Sequence, residues 1–165
     1  MGSEMCIRDR MKIALASISL AAVVLGTSVS AGGRGGNPAV KARQAHMQLY
    51  GFNLGALGAM AKGEVEYDAE AAKALAGNFA ALAAFNQAAY WTPGTSNAEL
   101  GNETRALPKI WEAGSTAGQI SQELAAAAAE LAAVAGDGQA ALGAAIGAAG
   151  KACGDCHKAY RAPAN

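Results

Sequence analysis

Two cysteines and a histidine lie within five residues of one another near the C-terminus. They belong to the run Cys-Gly-Asp-Cys-His at 153–157, which has the C-x-x-C-H pattern of covalent c-type haem attachment. Residues three and four apart share one face of a helix, so Cys153 and Cys156 can both form thioethers to one porphyrin edge. His157 then stands beside them, where its imidazole can ligate the iron. The motif therefore predicts one covalently attached haem c.

Three other kinds of site use the same residue types, namely a structural disulfide, a thioredoxin-like dithiol and half of a zinc site. A thioredoxin motif requires a βαβ context, and no stretch of this sequence is typical of a strand. Zinc requires four ligands, and beyond the motif only His46 and Cys6 could contribute. Covalent haem is therefore favoured. A haemless helical dithiol protein, acting in redox chemistry or metal delivery, is the alternative from a different functional class.

The composition predicts helices around this motif. The 165 residues include 13 Lys and Arg against 13 Asp and Glu, with four prolines and two tryptophans. Balanced charge argues against nucleic acid as a partner, and few prolines fit long helices better than a sandwich or barrel. No constellation of catalytic acid, base or nucleophile is present in the sequence, so we expect a protein that is not an enzyme.

The N-terminal residues are expected to be absent from the mature protein. Residues 1–10 are interpreted as a non-native leader, and residues 11–31 as a secretory signal peptide. The latter have a basic start, an apolar centre and small residues before a cleavage point after Ala31. The apolar run is short for a membrane span, and an uncleaved anchor is the alternative. We expect a periplasmic domain over 32–165, with no stable membrane insertion once processed and a mixed or mildly acidic surface toward redox partner proteins.

Capping signals divide the domain into helices. The first is expected over 38–62, between an N-cap at Asn37 and a C-cap at Gly63. The second follows a cap at Asp68 and is expected to run to about Tyr90.

Turn residues fill 91–107, which is expected to be the long connection of the domain. Pro108 is expected to open the third helix at its first turn, and the run Gly-Asp-Gly at 136–138 ends it. The fourth helix is expected over 139–161.

The fold class predicted from these helices is all-α, an antiparallel up-down-up-down four-helix bundle. Both Cys153 and Cys156 continue the apolar stripe of the last helix, together with Leu142, Ile146 and Ala149. The haem is therefore expected between the helices, near one end of the bundle.

Antiparallel order brings Met47 of the first helix to the level of His157. Met60 is thirteen residues further along, roughly 20 Å up the helix, which takes it out of reach. His46 lies about 100° around the helix from the apolar stripe and is expected on a flank. Met47 is therefore the candidate for the face of the haem opposite His157, either as an iron ligand or as a distal contact that does not ligate.

Three further residues are candidates for contact with the haem. Arg43 stands one turn before Met47 on the apolar stripe, where it could meet a haem propionate or extend to solvent. Arg161 follows His157 by four residues and could lie over the imidazole. Alternatively, it is an ordinary basic residue that the helix dipole favours at the C-terminus. Trp111 is expected to pack against the porphyrin.

Four stretches of the sequence resemble class II cytochromes c, the family of cytochrome c′ and cytochrome c-556. These stretches are Arg-Gln-Ala-His-Met at 43–47, Ala-Lys-Gly-Glu at 61–64 with Tyr-Asp at 67–68, Pro-Lys-Ile-Trp at 108–111, and the haem motif with Tyr-Arg at 160–161. Together they span about 38–161. The resemblance implies that Cys153 and Cys156 bind haem, that His157 is the proximal ligand, and that Met47 holds the distal position.

Members of this family differ at the distal position. The c-556-like members use a methionine there as sixth ligand and transfer electrons. The c′ members leave the iron five-coordinate and bind nitric oxide or carbon monoxide, some with a methionine that does not ligate. On this resemblance we expect a periplasmic monohaem cytochrome that transfers single electrons, with His157 and Met47 as iron ligands. A five-coordinate cytochrome c′ that binds these diatomic gases is the alternative, and the chain is expected to be a monomer or a homodimer.

Overall fold

The structure, a computed structural model, describes residues 35–164. Its helices are α1 (Pro38–Lys62), α2 (Ala69–Ala84), the single turn α3 (Asn97–Leu100), α4 (Ala117–Val134) and α5 (Gln139–Tyr160). Short 3-10 turns occupy Ala88–Tyr90, Gly101–Glu103 and Pro108–Trp111. The proposed leader and signal peptide over 1–31 lie outside the described residues, and the boundaries of the mature domain stay a prediction.

The four long helices form the predicted four-helix bundle. Helix α1 packs against α2 and α5, and α4 packs against the same two helices. Each helix therefore has two neighbours, as in a square bundle in which successive long helices are adjacent. Within residues 35–164 no helix combines the length and the apolar character needed to cross a membrane.

The core of the bundle contains few large side chains. Phe79, Leu57, Leu131 and Leu142 are fully buried, and each stabilises the fold by roughly 1.5–3 kcal/mol relative to an exposed position. Most other buried apolar positions are alanines, which let the helix backbones approach closely. The buried alanines of the cluster are Ala72, Ala76, Ala83, Ala128, Ala135 and Ala149.

The ends of α1 are those that the sequence predicts. The Asn37 side chain accepts hydrogen bonds from the backbone N–H groups of Ala39 and Val40. Gly63 has φ +72°, and its N–H donates to the Met60 carbonyl at 3.1 Å. A left-handed residue at this position favours glycine.

The predicted end of the second helix is wrong by about one and a half turns. The sequence predicts a helix to about Tyr90, whereas α2 ends at Ala84. Phe85 is extended, and the Asn86 side chain accepts a hydrogen bond from the Ala88 N–H at 3.0 Å. This local turn competes with helical hydrogen bonding and ends the helix.

The predicted start of the third helix is also wrong. Pro108 opens only a 3-10 turn that ends at Trp111, and α4 begins at Ala117. Gly114, with φ +87°, is in the left-handed region and interrupts the chain between the two segments. The connection between α2 and α4 is therefore longer than predicted and carries more of the site.

Candidate cofactor site between the first and last helices

A cavity of about 680 Å³ lies between α1 and α5. Residues of the connection that precedes α4, and one side of α4, form the rest of its wall. Cys153, Cys156 and His157 line it from α5, and Met47 lines it from α1. All four side chains are half-buried. The structure therefore brings the three motif residues onto one wall, with Met47 on another.

The two cysteines are unbonded thiols in the structure. Burial raises the pKa of both, and the charge of Cys156 adds to the rise for Cys153. The positive charge of Arg161 acts in the opposite direction on Cys156. At neutral pH the thiols are therefore held in the protonated form, side by side on the cavity wall.

His157 lies beside them in a positively charged surrounding. Burial lowers its pKa, and the nearby charges of Arg161 and Arg105 lower it further. Its imidazole is therefore neutral at neutral pH, which is the form that ligates a metal. Within residues 35–164 no group of three or more His, Cys, Asp and Glu side chains is arranged to hold a metal ion by itself.

Met47 borders free space on two sides. A second cavity of about 390 Å³ adjoins the first and shares several of its wall residues, Met47 among them. Phe85, Trp91 and Trp111 contribute aromatic rings to the second cavity, with Ile110 and Leu124. The two cavities form one crevice with a mainly apolar wall, and the Met47 side chain stands where they meet.

Trp111 lines the second cavity and not the larger one. Its indole N–H donates to the Trp91 carbonyl at 2.9 Å, and the two indole rings are 6.4 Å apart between centroids. The Trp91 indole N–H donates in turn to Gln87 Oε1 at 3.1 Å. Hydrogen bonds therefore fix both tryptophans as part of the wall of the crevice.

Arg43 lies on the cavity wall but does not extend to solvent, since only 3% of its surface is exposed. Its Nη1 donates to Thr95 Oγ1 at 2.7 Å and to the Tyr90 carbonyl at 3.4 Å. Its Nη2 donates to the Thr95 carbonyl and to Thr104 Oγ1, the latter at 2.8 Å. Burial lowers its pKa. Arg43 therefore ties α1 to both ends of the loop that contains α3.

His46 lies beside the predicted apolar stripe of α1 and is buried there. Its Nδ1 is 2.8 Å from the hydroxyl of Tyr90, and its ring meets that of Tyr50 edge-on at 4.6 Å. Burial lowers its pKa. It does not line either cavity. The buried residues of α1 therefore include His46, Asn53 and Met60, which lie beside the predicted stripe. Met47 and Leu54, which lie on that stripe, line the larger cavity instead.

Arg161 and Arg105 lie together at the cavity. Arg161 was a candidate from its spacing after His157, whereas Arg105 was missed. It stands in a loop, where no periodicity indicates which way a side chain points. Its neighbour Ala106 forms an isolated antiparallel bridge with Arg161, and that pairing is a tertiary contact with no local sequence signal.

The residues of this crevice fit a covalently attached haem. Two thiols and a neutral imidazole of α5 share one wall. A single helix can attach a haem through two thioether bonds and also ligate its iron only when these three side chains lie together. Met47 lines the crevice from α1, and the remaining wall is rich in apolar and aromatic side chains that suit a porphyrin. Among residues 35–164, the charged side chains that line the larger cavity are three arginines and Glu103.

Comparison with known proteins agrees with this geometry. Residues 38–161 match the family model described as Cytochrome C′. A protein named cytochrome c-554 from Cereibacter sphaeroides is 38% identical over 122 residues, which are 74% of this chain and 91% of the relative.

Solved structures of the same family superpose on the bundle. A cytochrome c′ from Rhodobacter sphaeroides has a TM-score of 0.73 at 36% identity, covering 76% of this chain and 96% of that one. The nitric oxide complex of a cytochrome c prime variant from Alcaligenes xylosoxidans has a TM-score of 0.66 at 33% identity, covering 76% and 94%.

Proposed function

Since this chain belongs to the cytochrome c′ family of class II cytochromes c, we propose that it is a periplasmic monohaem cytochrome that binds a diatomic gas, nitric oxide or carbon monoxide. Haem c is the cofactor of the family, and the chain is a haem c cytochrome. The haemless dithiol alternative is therefore not retained. The sequence alone favours electron transfer over gas binding. Gas binding is the better supported of the two functions because the relatives include cytochromes c′, one of them in complex with nitric oxide.

Each residue of the motif has a separate part in this proposal. Cys153 and Cys156 anchor the porphyrin through thioethers, and His157 ligates the iron from the α5 side. A haem held by these residues would supply an iron that can be ferric or ferrous and can bind a diatomic gas. His157 suits its part because the Arg105 and Arg161 charges and burial keep it unprotonated.

The position of Met47 is the observation on which gas binding depends. Its side chain lines the larger cavity from α1, whereas His157 lines that cavity from α5. Methionine has three rotatable bonds and adapts easily to its surroundings. With haem in the crevice, Met47 would cover the distal face as a side chain that can move aside for a molecule of two atoms.

Carbon monoxide binding to the ferrous protein tests this proposal. We expect the wild type to bind carbon monoxide readily, and Met47→Leu to bind with an affinity within a few-fold of the wild type. Met60→Leu, a buried methionine of the same helix that does not line either cavity, is the matched control. Binding by Met47→Leu alone, with none by the wild type and the control, would contradict the proposal.

That contrary result would favour the second candidate, a cytochrome that transfers single electrons with His157 and Met47 as axial ligands. One observation supports it, namely that Met47 and His157 line the same cavity from different helices. A thioether ligand opposite histidine raises the reduction potential. In either case the partners that deliver or accept electrons are expected to be redox proteins.

Three haem contacts stay predictions. They are those of Arg43 with a propionate, of Arg161 with the imidazole and of Trp111 with the porphyrin. Arg43 and Arg161 line the larger cavity and Trp111 the smaller one, so all three are within the proposed haem crevice. The periplasmic location is proposed from the signal peptide pattern of residues 11–31.

We also propose that two copies of the chain associate through α1. Leu49 and Phe52 are 50% and 69% exposed and lie one turn apart on that helix. Gly55 follows Phe52 by three residues, and space beyond its Cα is open. An apolar strip next to a bare backbone suits close packing against another helix.

A further inference from the structure

The 3-10 turn Ala88–Tyr90 contacts α1 at the level of Met47. The Tyr90 hydroxyl is 2.8 Å from His46 Nδ1, and the Tyr90 carbonyl accepts a hydrogen bond from Arg43 Nη1 at 3.4 Å. Arg43 and His46 are three residues apart, so they are neighbours on the surface of one helix. Tyr90 therefore binds both ends of the helical turn that leads into Met47.

The residues on either side of this 3-10 turn contact α1 as well. Gln87 Nε2 donates to the Tyr50 hydroxyl at 3.0 Å, and the Arg43 guanidinium lies 5.1 Å from the centroid of the Trp91 ring. Together with those of Tyr90, these contacts extend along α1 over 43–50, roughly 10 Å at 1.5 Å per residue. Residues 87–91 therefore restrain both the position and the axial rotation of this part of α1.

The His46 ring has no other hydrogen bond to residues 35–164. It is 7% exposed, and its Nε2 is buried without a partner in that part of the chain. Burial lowers the pKa of His46, and the Leu82 carbonyl opposes that shift. The same carbonyl accepts a hydrogen bond from the Tyr50 hydroxyl and completes none with Nε2. Tyr90 is therefore the one hydrogen-bonding partner of the ring in the described part of the chain.

A five-coordinate iron requires that Met47 be kept from ligating it. A thioether is a soft ligand that binds haem iron opposite histidine in other cytochromes. Methionine is too flexible for its own side chain to enforce a distance, so the backbone of α1 has to be held in place.

A small rotation of α1 is enough to change this distance. A functional group has to be held within about 0.5 Å of its working position. Rotating α1 by about 20° moves its Cα atoms, which lie about 2.3 Å from the axis, by about 0.8 Å. The tip of a side chain moves further. The restraint by residues 87–91 therefore acts on the quantity that separates a ligating methionine from one that only covers the iron.

We propose that Tyr90 is a positioning residue for Met47, which holds α1 so that the Met47 thioether covers the haem iron without ligating it. Tyr90 acts through His46, the residue that precedes Met47. This inference rests on the proposed function, since it explains how a methionine beside the iron leaves an axial position open to a gas. Without the Tyr90 hydroxyl, α1 can rotate and the thioether can reach the iron.

The affinity of the ferrous holoprotein for carbon monoxide tests this role. Tyr90→Phe removes the hydroxyl and keeps the ring and the carbonyl. It should weaken carbon monoxide binding about two- to ten-fold, the change that one net hydrogen bond supports, because Met47 then competes for the iron. In a protein that also carries Met47→Leu, the same change should alter the affinity by less than about two-fold, because leucine has no sulfur.

Electron paramagnetic resonance of the ferric holoprotein is the second readout. Tyr90→Phe should add a low-spin signal to the high-spin signal, and the protein with both changes should be high-spin only. A Tyr90→Phe protein with the affinity and spectrum of the wild type would overturn the role of Tyr90. So would an effect that persists with Met47→Leu. A wild type that is already low-spin contradicts the five-coordinate site itself, which distinguishes failure of the proposed function from failure of this inference.

Tyr67→Phe is the matched control at the other end of the bundle. The Tyr67 hydroxyl donates to the Ala135 carbonyl at 2.8 Å and accepts from the Gly138 N–H at 3.0 Å. Tyr67 is half-buried like Tyr90 and lines neither cavity, so its change should leave the affinity and the spectrum as in the wild type. A shift equal to that of Tyr90→Phe would indicate a general loss of stability and overturn the positioning role.

His46→Leu breaks the same hydrogen bond from the side of α1. It should reproduce the effect of Tyr90→Phe, and the two changes together should have no larger effect than either alone, because both remove one interaction. Leucine also removes the unpartnered Nε2, so the two variants should differ in the urea midpoint while agreeing in carbon monoxide affinity. Effects on affinity that add would overturn the action of Tyr90 through His46.

Discussion

Replacing Arg43 by leucine should destabilise the protein, although Arg43 occupies a buried position on the apolar stripe of α1. Arg43 is 3% exposed, and its guanidinium donates to the Thr95 carbonyl and to the hydroxyls of Thr95 and Thr104. It also stacks over two indole rings, 5.1 Å from the centroid of Trp91 and 5.8 Å from that of Trp111.

The expected loss follows from these contacts. Leucine leaves at least two buried acceptors unpaired, at about 1–3 kcal/mol each, and removes two cation–π contacts of about 0.5–1 kcal/mol each. Relief of the desolvation of the guanidinium offsets part of this. A net decrease of about 3–4 kcal/mol in the free energy of unfolding is therefore expected, a large share of the ~5–15 kcal/mol typical of a domain.

Urea unfolding of the holoprotein, followed by far-ultraviolet circular dichroism, measures this decrease. Arg43→Lys keeps the charge but loses the planar fork, and should lie between the wild type and Arg43→Leu. Lys41→Leu removes an exposed cation of the same helix, and should change stability by no more than about 0.5 kcal/mol. A loss below about 1 kcal/mol for Arg43→Leu would refute the view that this residue anchors the loop.

Three other predictions follow from single sites. Burial raises the pKa of Tyr50 to about 12, so the stability that depends on its neutral phenol is complete below pH 10 and is lost as the pH rises toward 12. Tyr50→Phe should flatten the alkaline decline in urea midpoint, and a parallel decline in both proteins would contradict this. Replacing both Cys153 and Cys156 by alanine should abolish haem staining on a denaturing gel; retained stain would rule out thioether attachment at these residues. Phe52→Glu should shift the protein from dimer to monomer in light scattering, while a wild type that is already monomeric at high concentration would exclude the α1 dimer.

Helix ends with local signals could be predicted from the sequence. Asn37 and Asp68 accept hydrogen bonds from the first turns of α1 and α2, and Gly63 ends α1 in the left-handed region. A cap depends on two or three neighbouring residues, so the sequence contains the whole signal. The haem motif is similar, because its function depends on spacing within five residues.

Positions that depend on distant neighbours could not be predicted. The sequence does not indicate that His46 is buried, because Tyr90 and Phe85, which cover it, are about forty residues away. The position of Arg43 in the sequence predicts a contact with solvent or with a propionate, but loop residues more than forty positions away receive its hydrogen bonds. Periodicity gives the angle of a residue on its helix and does not give the element that packs there.

The connection between α2 and α4 shows the same limit. Pro108 has a strong preference for a first helical turn, yet the helix stops after Trp111 and restarts beyond Gly114. The 3-10 turn places Trp111 where its indole N–H reaches the Trp91 carbonyl. The local preference of Pro108 thus accounts for the start of the 3-10 turn. Its end at Trp111 coincides with the hydrogen bond from Trp111 to Trp91, which the local sequence does not indicate.

The spin state of the ferric iron in the wild-type protein tests the proposed coordination most directly. Electron paramagnetic resonance at neutral pH should show a high-spin signal, because in the proposed site His157 is the one axial ligand and Met47 only covers the other face. A low-spin signal that becomes high-spin in Met47→Leu would contradict the five-coordinate site, and would establish Met47 as the sixth ligand of an electron-transfer cytochrome.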